Sequence, residues 1–362
     1  MKKELFPILE VTGSHYDIGY AHGLNYREQV LGSIESYKDM FKKYSNIEWE
    51  KAKEYSKIFV PIIESYNSDY IEEIRGVADG AGVDFESVLA LNCRSELVFA
   101  GDKIGSSDGC TSLGVTADGT KNGDTIVAHN WDWKPSQLKN MVILKIKQKN
   151  KPDIFTITEG GIIGKTGFNS SGISVFLNAL GTDAKPEGVP LHMIMRSILD
   201  CETIGEVIRE CTRVNIGCCA NFLIGHSNGE VIDIEIENED FDVLYPDNDI
   251  MVHTNHFLSN RLPVYPRKDT VKYKFTDSYL RLGRTRKLLY KDHGNIDEKI
   301  IANILRDHVD FPNSICAHKD EKLDEGDQTG TVFSIIINLT KEKIMISHGS
   351  PCENEYMEYK LS

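Results

Sequence analysis

The sequence lacks most of what would mark a nucleic-acid-binding, membrane-bound or disulfide-stapled protein. Basic residues are outnumbered: 41 lysines and arginines face 55 aspartates and glutamates, a formal net charge of -14 over 362 residues. Nucleic-acid binding depends on Lys and Arg neutralising phosphates, and no basic block offsets the acidic balance, so nucleic acid is not expected as a partner. No apolar run approaches the roughly 20 residues of a membrane span. The N-terminal MKKELFPILEVTGSHYD has its apolar stretch broken by Glu4, Pro7 and Glu10, too short for a signal-peptide core. The expectation is a cytoplasmic protein that does not engage membranes.

Paired cysteines are missing too. The eight, at 93, 110, 201, 211, 218, 219, 316 and 352, include no Cys-x-x-Cys motif, and Cys218 and Cys219 form the one local cluster. Vicinal cysteines rarely bond each other, because a disulfide needs a wider Cα separation. The spacing of Cys201, Cys211, Cys218 and Cys219 matches none of the usual zinc patterns. Reduced structural thiols are expected, with no metal and no cofactor.

What is present is ordinary globular material, 40% hydrophobic and 27% charged. It divides near Cys110. Before that residue the pattern is helical: Leu24, Val30, Leu31, Ile34, Tyr37 and Met40 fall near helical spacing, a second run covers 49–66, and SDYIEEIRGVADGAG follows with Ser68 or Asp69 as the expected cap. After it strands dominate. NMVILKIKQKN alternates Val142, Leu144 and Ile146 against Ile143, Lys145 and Lys147, the half-buried strand signature. FTITE, GISVFLNA, NFLIGHS, EVIDIEIE and TVFSIIINL repeat the theme, with Asn-Gly turns at 122–123 and 228–229. Helical stretches near 190–213 and 278–307 interrupt them, Pro190 and Thr203 being start signals. Strands in groups with helices between them predict a layered α+β fold.

Cys110 stands in SSDGCTSLGV. Ser106, Ser107, Asp108 and Gly109 read as a polar turn, and Leu113, Gly114 and Val115 as the start of a strand. One reading is a buried thiol acting as a small hydrophobe. The other is a nucleophile. Cleavage before Cys110 would give it an α-amine of pKa about 7.7 to 8.0 beside a thiol of about 8.5. The amine then takes the thiol proton directly or through one water, and one residue is both nucleophile and base. Gly109 removes a Cβ from the path of an N-to-S acyl shift. Such chemistry needs oxyanion donors and an orienting carboxylate. AHNWDWKP sets Asp132 on a strand one hairpin later, with Asn130 on its face and Trp131 and Trp133 on the other. MVHTNHFLSN sets Asn255 at the end of an apolar strand between His253 and His256. Both Asp132 and Asn255 are equally readable as turn residues.

Eight segments in order, SHYDIGYAHG, EEIRGVADGAG, LNCRSE, DGCTS, HNWDW, ITEGGIIGKTGFNSSGISVFLNAL, GVPLHMIMRSIL and MVHTNH, resemble the acyl-CoA:6-aminopenicillanic acid acyltransferase family. These are self-processing cysteine peptidases of the C45 type among the N-terminal nucleophile hydrolases. The resemblance implies a four-layer αββα sandwich and a single domain over 1–362. It implies cleavage between Gly109 and Cys110, giving an α chain of residues 1–109 that stays with a β chain of 110–362. It assigns Cys110 as nucleophile, Asp132 as the carboxylate near its amine and Asn255 as oxyanion donor; His253 and His256 receive no catalytic role. Gly19, His22 and Gly23 would let the α chain approach the β chain closely. Arg94 and Glu96 form either a pair holding the processing loop or an ordinary ion pair. The fungal member carries a Ser-Arg pair where this chain has Asp327 and Gln328. Arginine clamps a carboxylate bidentately and glutamine does not, so a penicillin-type carboxylate substrate is not expected.

The resulting expectation is a cysteine amidohydrolase acting on the linear amide of a small N-acylated compound. Trp131, Trp133, Phe168 and Phe257 are candidates for an apolar acyl pocket, although core packing is the readier account of any one of them, and Gln328 is a further candidate for substrate contact. The near alternative is an N-acyltransferase using acyl-CoA or another acyl donor. An alternative of another class is an uncleaved, thiol-rich binding or metal-handling protein.

Overall fold

A helical N-terminal layer leads into two stacked β-sheets, and a second pair of helices closes the far side. The computed structural model describes residues 5–99, 109–183, 185, 187–270 and 276–361. The turn expected at Ser106, Ser107 and Asp108 lies outside the described residues. The chain opens with strand β1 (Ile8–Thr12), then helices α1 (His15–Asn25), α2 (Arg27–Met40), α3 (Trp49–Ser56), α4 (Val60–Ala81), α5 (Phe85–Asn92) and α6 (Arg94–Phe99). Ser14 starts α1 through a capping box, its hydroxyl accepting from Asp17 N while Asp17 Oδ2 takes Ser14 N–H at 2.9 Å. The cap expected at Ser68 or Asp69 sits instead at Asn67. Its backbone leaves helical geometry inside α4 (φ -161°, ψ 106°), and its Oδ1 accepts from Asp69 N.

Helices α1 and α4 touch backbone to backbone. A Cβ on Gly19 would lie 2.0 Å from Glu73 O, one on Gly23 2.1 Å from Val77 O, and one on Gly76 or Gly80 2.2 Å from Tyr16 O or Tyr20 O. Pairs of glycines four apart, one pair on each helix, are what such an approach requires. The close approach expected between Gly19 and Gly23 and the β chain is therefore made within the N-terminal segment. His22 does reach across: its buried Nε2 accepts from Gly161 N at 3.1 Å, and burial pushes its pKa down to about 4, which keeps it a neutral acceptor.

Beyond residue 109 come β2 (Gly109–Val115), β3 (Ile126–Trp133), β4 (Met141–Lys147), β5 (Ile154–Glu159), β6 (Thr166–Asn169) and β7 (Ile173–Ala179). Helices α7 (Leu191–Ile198) and α8 (Ile204–Thr212) follow, then β8 (Ala220–His226), β9 (Val231–Glu237), β10 (Asp240–Leu244) and β11 (Ile250–His253). The chain ends with α9 (Asp277–Lys291), α10 (Glu298–Leu305), β12 (Gly330–Asn338), β13 (Lys343–His348) and β14 (Tyr356–Tyr359). Pro190 and Thr203 are the N-caps of α7 and α8, and the Thr203 hydroxyl accepts from Glu206 N.

The strands form an eight-stranded sheet in the order β1-β4-β5-β6-β7-β8-β9-β10 and a six-stranded sheet in the order β11-β2-β3-β12-β13-β14. Their inner faces meet where Gly114 lies under Val231 and Gly225 under Val127 and Leu339. Helices of the N-terminal segment, with α7 and α8, cover the outside of the larger sheet, while α9 and α10 cover the smaller one. The result is the four-layer αββα arrangement. Helical cover also explains why β4 is buried on both faces from Met141 to Leu144, where alternation alone predicts half burial.

Residues 8–12 pair in parallel with β4, from Ile8 opposite Ile143 to Thr12 opposite Lys147, so the segment before Cys110 supplies a strand to a sheet built from residues after it. The glycine contact yields a test. Gly76→Ala is expected to lower the urea midpoint by an amount equivalent to about 1–3 kcal/mol or more, since its Cβ meets a backbone carbonyl that cannot rotate away. An unchanged midpoint would refute the backbone-to-backbone packing.

Candidate active site

The β2–β3 hairpin places Gly109 opposite Asp132, Cys110 opposite Trp131 and Thr111 opposite Asn130. The strand begins at Gly109, so Cys110 lies inside the ladder, and every residue of β2 is buried. A Cβ at position 109 would stand 3.1 Å from Asp132 Oδ2 and 3.2 Å from Asp132 Cβ, so glycine here admits the carboxylate. Asp132 Oδ1 accepts from Thr331 Oγ1 at 2.6 Å. That hydroxyl in turn accepts from Ala317 N at 3.0 Å, which fixes its proton toward the carboxylate.

Around Cys110 the hydrogen bonds converge. Its backbone N–H donates to Asn255 Oδ1 at 2.9 Å. The buried guanidinium of Arg281 forks across the site: Nη1 donates to Cys110 O at 2.7 Å and to Thr111 Oγ1 at 3.1 Å, and Nη2 donates to Asn255 Oδ1 at 2.9 Å. Asp277 holds the Arg281 Nε at 2.9 Å. Two donors on one side of the Asn255 amide leave its NH2 facing the carbonyl of Ala179, 3.1 Å away at the end of β7.

The flanking histidines have partners of their own. His253 Nε2 meets Glu235 at 2.7 Å and Nδ1 meets Thr254 O at 2.9 Å. Both ring nitrogens face acceptors. Burial would lower its pKa, but Glu235 and Asp233 raise it, favouring the imidazolium. His256 Nδ1 lies 2.7 Å from Ser278 Oγ and its ring stacks on Tyr279. Glu235 also takes the N–H groups of Leu258 and Ser259, so this pair anchors the loop that leaves the site.

A narrow cavity beside the thiol is lined by Arg94, Ser95, His129, Trp131, Lys165, Thr166, Leu177, Ala179 and Leu191. It leaves about 10 Å³ of room, enough for one water. Lys165 Nζ stands 3.5 Å above the centre of the Trp131 ring and 2.7 Å from Glu159 Oε2. Glu159 also accepts from Tyr37 Oη at 2.6 Å and pairs with Arg94 at 3.4 Å. Burial alone would raise the Glu159 carboxyl, but Arg94 and Lys165 together hold it down to about 2. Burial, helped by Lys165, pushes His129 down to about 3, so its ring is neutral.

The other sequence candidates lie elsewhere. Trp133 sits under the cavity-lining Arg94, 5.5 Å from guanidinium to ring centre, and does not itself line the cavity. Phe168 is fully buried on β6 opposite Phe155 and Ser174. Phe257 is half-buried with its N–H on Asp269. Gln328 borders a separate groove of about 630 Å³ with Lys43, Tyr44 and Lys134, and its side-chain amide donates to Leu323 O. Neighbouring Asp327 pairs with Lys43 at 2.7 Å. The expected Arg94–Glu96 pair is replaced: Arg94 turns to Glu159, and Glu96 Oε1 accepts from Leu191 N at 2.9 Å, its pKa raised by burial to about 7.

Sequence reasoning did not find Arg281, Thr331, Glu159 or Lys165. Arg281 reaches Cys110 across 171 positions and Thr331 reaches Asp132 across 199, and neither lies in a motif. The one available signal was an arginine on an otherwise amphipathic helix at a position destined for the core.

Residues 119–353 match the family model described as acyl-coenzyme A:6-aminopenicillanic acid acyl-transferase, more than half of the chain. A curated 40 kDa acyl-coenzyme A:6-aminopenicillanic-acid-acyltransferase form from Emericella nidulans is 29% identical over 350 residues, covering 95% of this chain and 93% of the relative. A β-alanyl-dopamine/carcinine hydrolase from Drosophila melanogaster is 22% identical, covering 61% of this chain and 62% of its own. Among solved structures, a mutant conjugated bile acid hydrolase from Clostridium perfringens aligns with a TM-score of 0.46 at 12% identity, covering 69% of this chain and 96% of that one.

The buried Glu159 cluster sets a pH dependence. A carboxyl held at about 2, against 4.5 ordinarily, stabilises the fold fully above 4.5 and loses that contribution as pH falls toward about 2. Glu159→Gln is expected to melt well below wild type at neutral pH, by the equivalent of about 3–5 kcal/mol, because it strands two buried cations. The gap should narrow as pH drops below 4.5; thermal melts across pH that keep a constant gap would contradict the charge assignment.

Proposed function

Because the chain belongs to the acyl-coenzyme A:6-aminopenicillanic acid acyl-transferase family, we propose that it is a self-processing cysteine amidohydrolase acting on small N-acylated compounds. The observation that carries this reading is the seat of Cys110: its backbone N–H already rests on Asn255, its carbonyl on Arg281, and Asp132 stands opposite the residue before it.

In processing, Cys110 Sγ attacks the Gly109 carbonyl carbon, and the Gly109–Cys110 amide becomes a thioester with a free α-amine. Water then cleaves the thioester, leaving a Gly109 carboxylate and the Cys110 thiol. The new amine keeps the position of the old N–H, against Asn255 Oδ1. In turnover the amine takes the thiol proton as sulfur attacks the substrate carbonyl, then delivers it to the leaving amine. Asp132, pinned by Thr331, orients the amine. The Asn255 NH2 is the donor for the oxyanion, and Arg281 fixes which way that amide points. Water hydrolyses the acyl-cysteine thioester and regenerates the thiol.

The two chains stay together as one domain. The N-terminal segment contributes β1 to the larger sheet, and its buried Tyr37, His22 and Glu73 bond to Glu159, Gly161 N and Arg196 of the later segment. We place the acyl group against the apolar side of the cavity beside Cys110, formed by Trp131, Leu177 and Ala179. Gln328, in the separate groove, does not bear on a carboxylate here; the cations at this cavity are Arg94 and Lys165, both paired with Glu159. Acyl transfer uses the same thioester with an amine in place of water, and acyl-CoA as donor in place of an amide. Relatives bear names of both kinds. No helix among the described residues is long and apolar enough to cross a membrane.

Intact mass and N-terminal sequencing of folded wild type should reveal a second chain beginning at Cys110, while Cys110→Ala stays whole. A folded wild type that remains one chain overturns the proposal and favours a binding role. In the processed enzyme, replacing Asn255 by Ala in trans of processing, by co-expressing the two chains from separate messages, should lower kcat by about 10²–10³. Added amines that accelerate turnover with N-acyl amine as product would move the assignment to transfer.

A further inference from the structure

The eight cysteines offered no metal pattern by spacing, and Cys201, Cys211, Cys218 and Cys219 do not gather as a set. The fold instead brings together two other cysteines and two histidines. His308, Cys316, His318 and Cys352 present their ligating atoms all within 4.8 Å of one another. Cys316 Sγ lies 3.6 Å from Cys352 Sγ, and His318 Nε2 lies 3.6 Å from Cys316 Sγ and 3.3 Å from Cys352 Sγ. His308 Nε2 is 3.1 Å from His318 Nε2. Zinc with bonds of about 2.3 Å to sulfur and 2.05 Å to nitrogen spans a tetrahedron whose S–S, S–N and N–N edges are about 3.8, 3.6 and 3.3 Å. These four of the six edges fall within a few tenths of an ångström of the ideal, and the two from His308 to the sulfurs lie within 4.8 Å.

We propose that these four side chains form a structural zinc site. Two thiolates and two imidazoles are the ligand set that selects zinc in tetrahedral geometry, and four protein ligands close it to substrate. A disulfide between Cys316 and Cys352 would leave the convergence of two Nε2 atoms on the same point unexplained. The surroundings fit as well. Behind His318 the Glu353 carboxylate stands 3.9 Å from Nδ1, on the side where ligating histidines usually meet a carboxylate. Backbone bonds hold the ligand-bearing loop: Cys316 N donates to Asp307 O and His318 N to Pro312 O, each at 3.0 Å. Arg306 Nε donates to Pro351 O, fastening the turn that carries Cys352 to the end of α10.

The site lies close to the proposed chemistry without joining it. Ala317, between two ligands, accepts from Thr331 N and donates its own N–H to the Thr331 hydroxyl, the group that holds Asp132. Zinc thus clips the 308–318 loop to the turn after β13 and steadies the support of the carboxylate.

The test uses untagged full-length protein prepared under reducing conditions without chelator. Elemental analysis should give about one zinc per chain. Cys352→Ser should lose it. His308→Ala, at an exposed position, should keep the native circular dichroism but bind zinc at least about tenfold more weakly in competition with a chromophoric chelator. Cys219→Ser should retain full stoichiometry. Cobalt(II) added to the chelator-stripped wild type should give the visible absorption of a tetrahedral thiolate site, absent in Cys352→Ser. Wild type that neither carries zinc nor yields that spectrum, or a Cys316–Cys352 disulfide in non-reducing peptide maps of reduced-cell preparations, would overturn the assignment. Metal content is read independently of chain cleavage, so failure here leaves self-processing standing, and the reverse holds too.

Discussion

The register of the β2–β3 hairpin is the constraint on which the site depends. Side chains alternate across a strand and paired residues share a face, so a slip of one residue would move the Cys110 thiol from the face it shares with Trp131 to the face of the Asp132 carboxylate. In the observed register Gly109 faces Asp132 and Cys110 faces Trp131. The glycine then follows from the carboxylate's position rather than from a need for a flexible turn, because any Cβ would crowd Asp132. β12 on the far side of β3 reinforces the same register, delivering Thr331 to Asp132.

Buried charge joins the layers. Glu159 on β5 collects Tyr37 and Arg94 from the N-terminal helices together with Lys165, and Glu73 on α4 collects His15 and the buried Arg196 of α7. Glu235 on β9 collects His253 and two backbone amides of the following loop. Desolvating such groups is costly unless each is fully partnered, so their contribution is to fix one arrangement of helices on sheets more than to add net stability. Apolar burial among residues such as Phe155, Phe176 and Phe222, at about 1.5–3 kcal/mol each, supplies the driving force that the ionic groups then direct.

The Asn255 amide shows how such fixing becomes chemistry. Arg281 and the Cys110 N–H both demand an acceptor, so the amide oxygen must face them and the NH2 must face away. An arginine on a helix outside the smaller sheet thereby decides the orientation of the proposed oxyanion donor, and the proposed metal clip acts in the same indirect manner on Asp132 through Ala317 and Thr331. Each side chain proposed to react is held by groups to which no reaction is assigned.

The sequence by itself determined the class of the fold and named the candidate site residues. Local periodicity marked the helices before Cys110 and the strands after it, and short ordered motifs singled out Cys110, Asp132 and Asn255, because those patterns reside in neighbouring residues. Tertiary structure decided the rest. It moved the cap in α4 to Asn67, buried both faces of β4 under helices, and turned the glycines of α1 toward α4. It kept Phe168, Phe257 and Gln328 out of the lining of the cavity beside Cys110, set Trp133 beneath Arg94, and gathered Arg94 and Lys165 there instead. Arg281, Thr331, and the meeting of Cys352 with Cys316 and His318 come from positions tens to hundreds of residues apart. No local pattern encodes such meetings, since they arise only when sheet order and layer packing bring distant segments to one point.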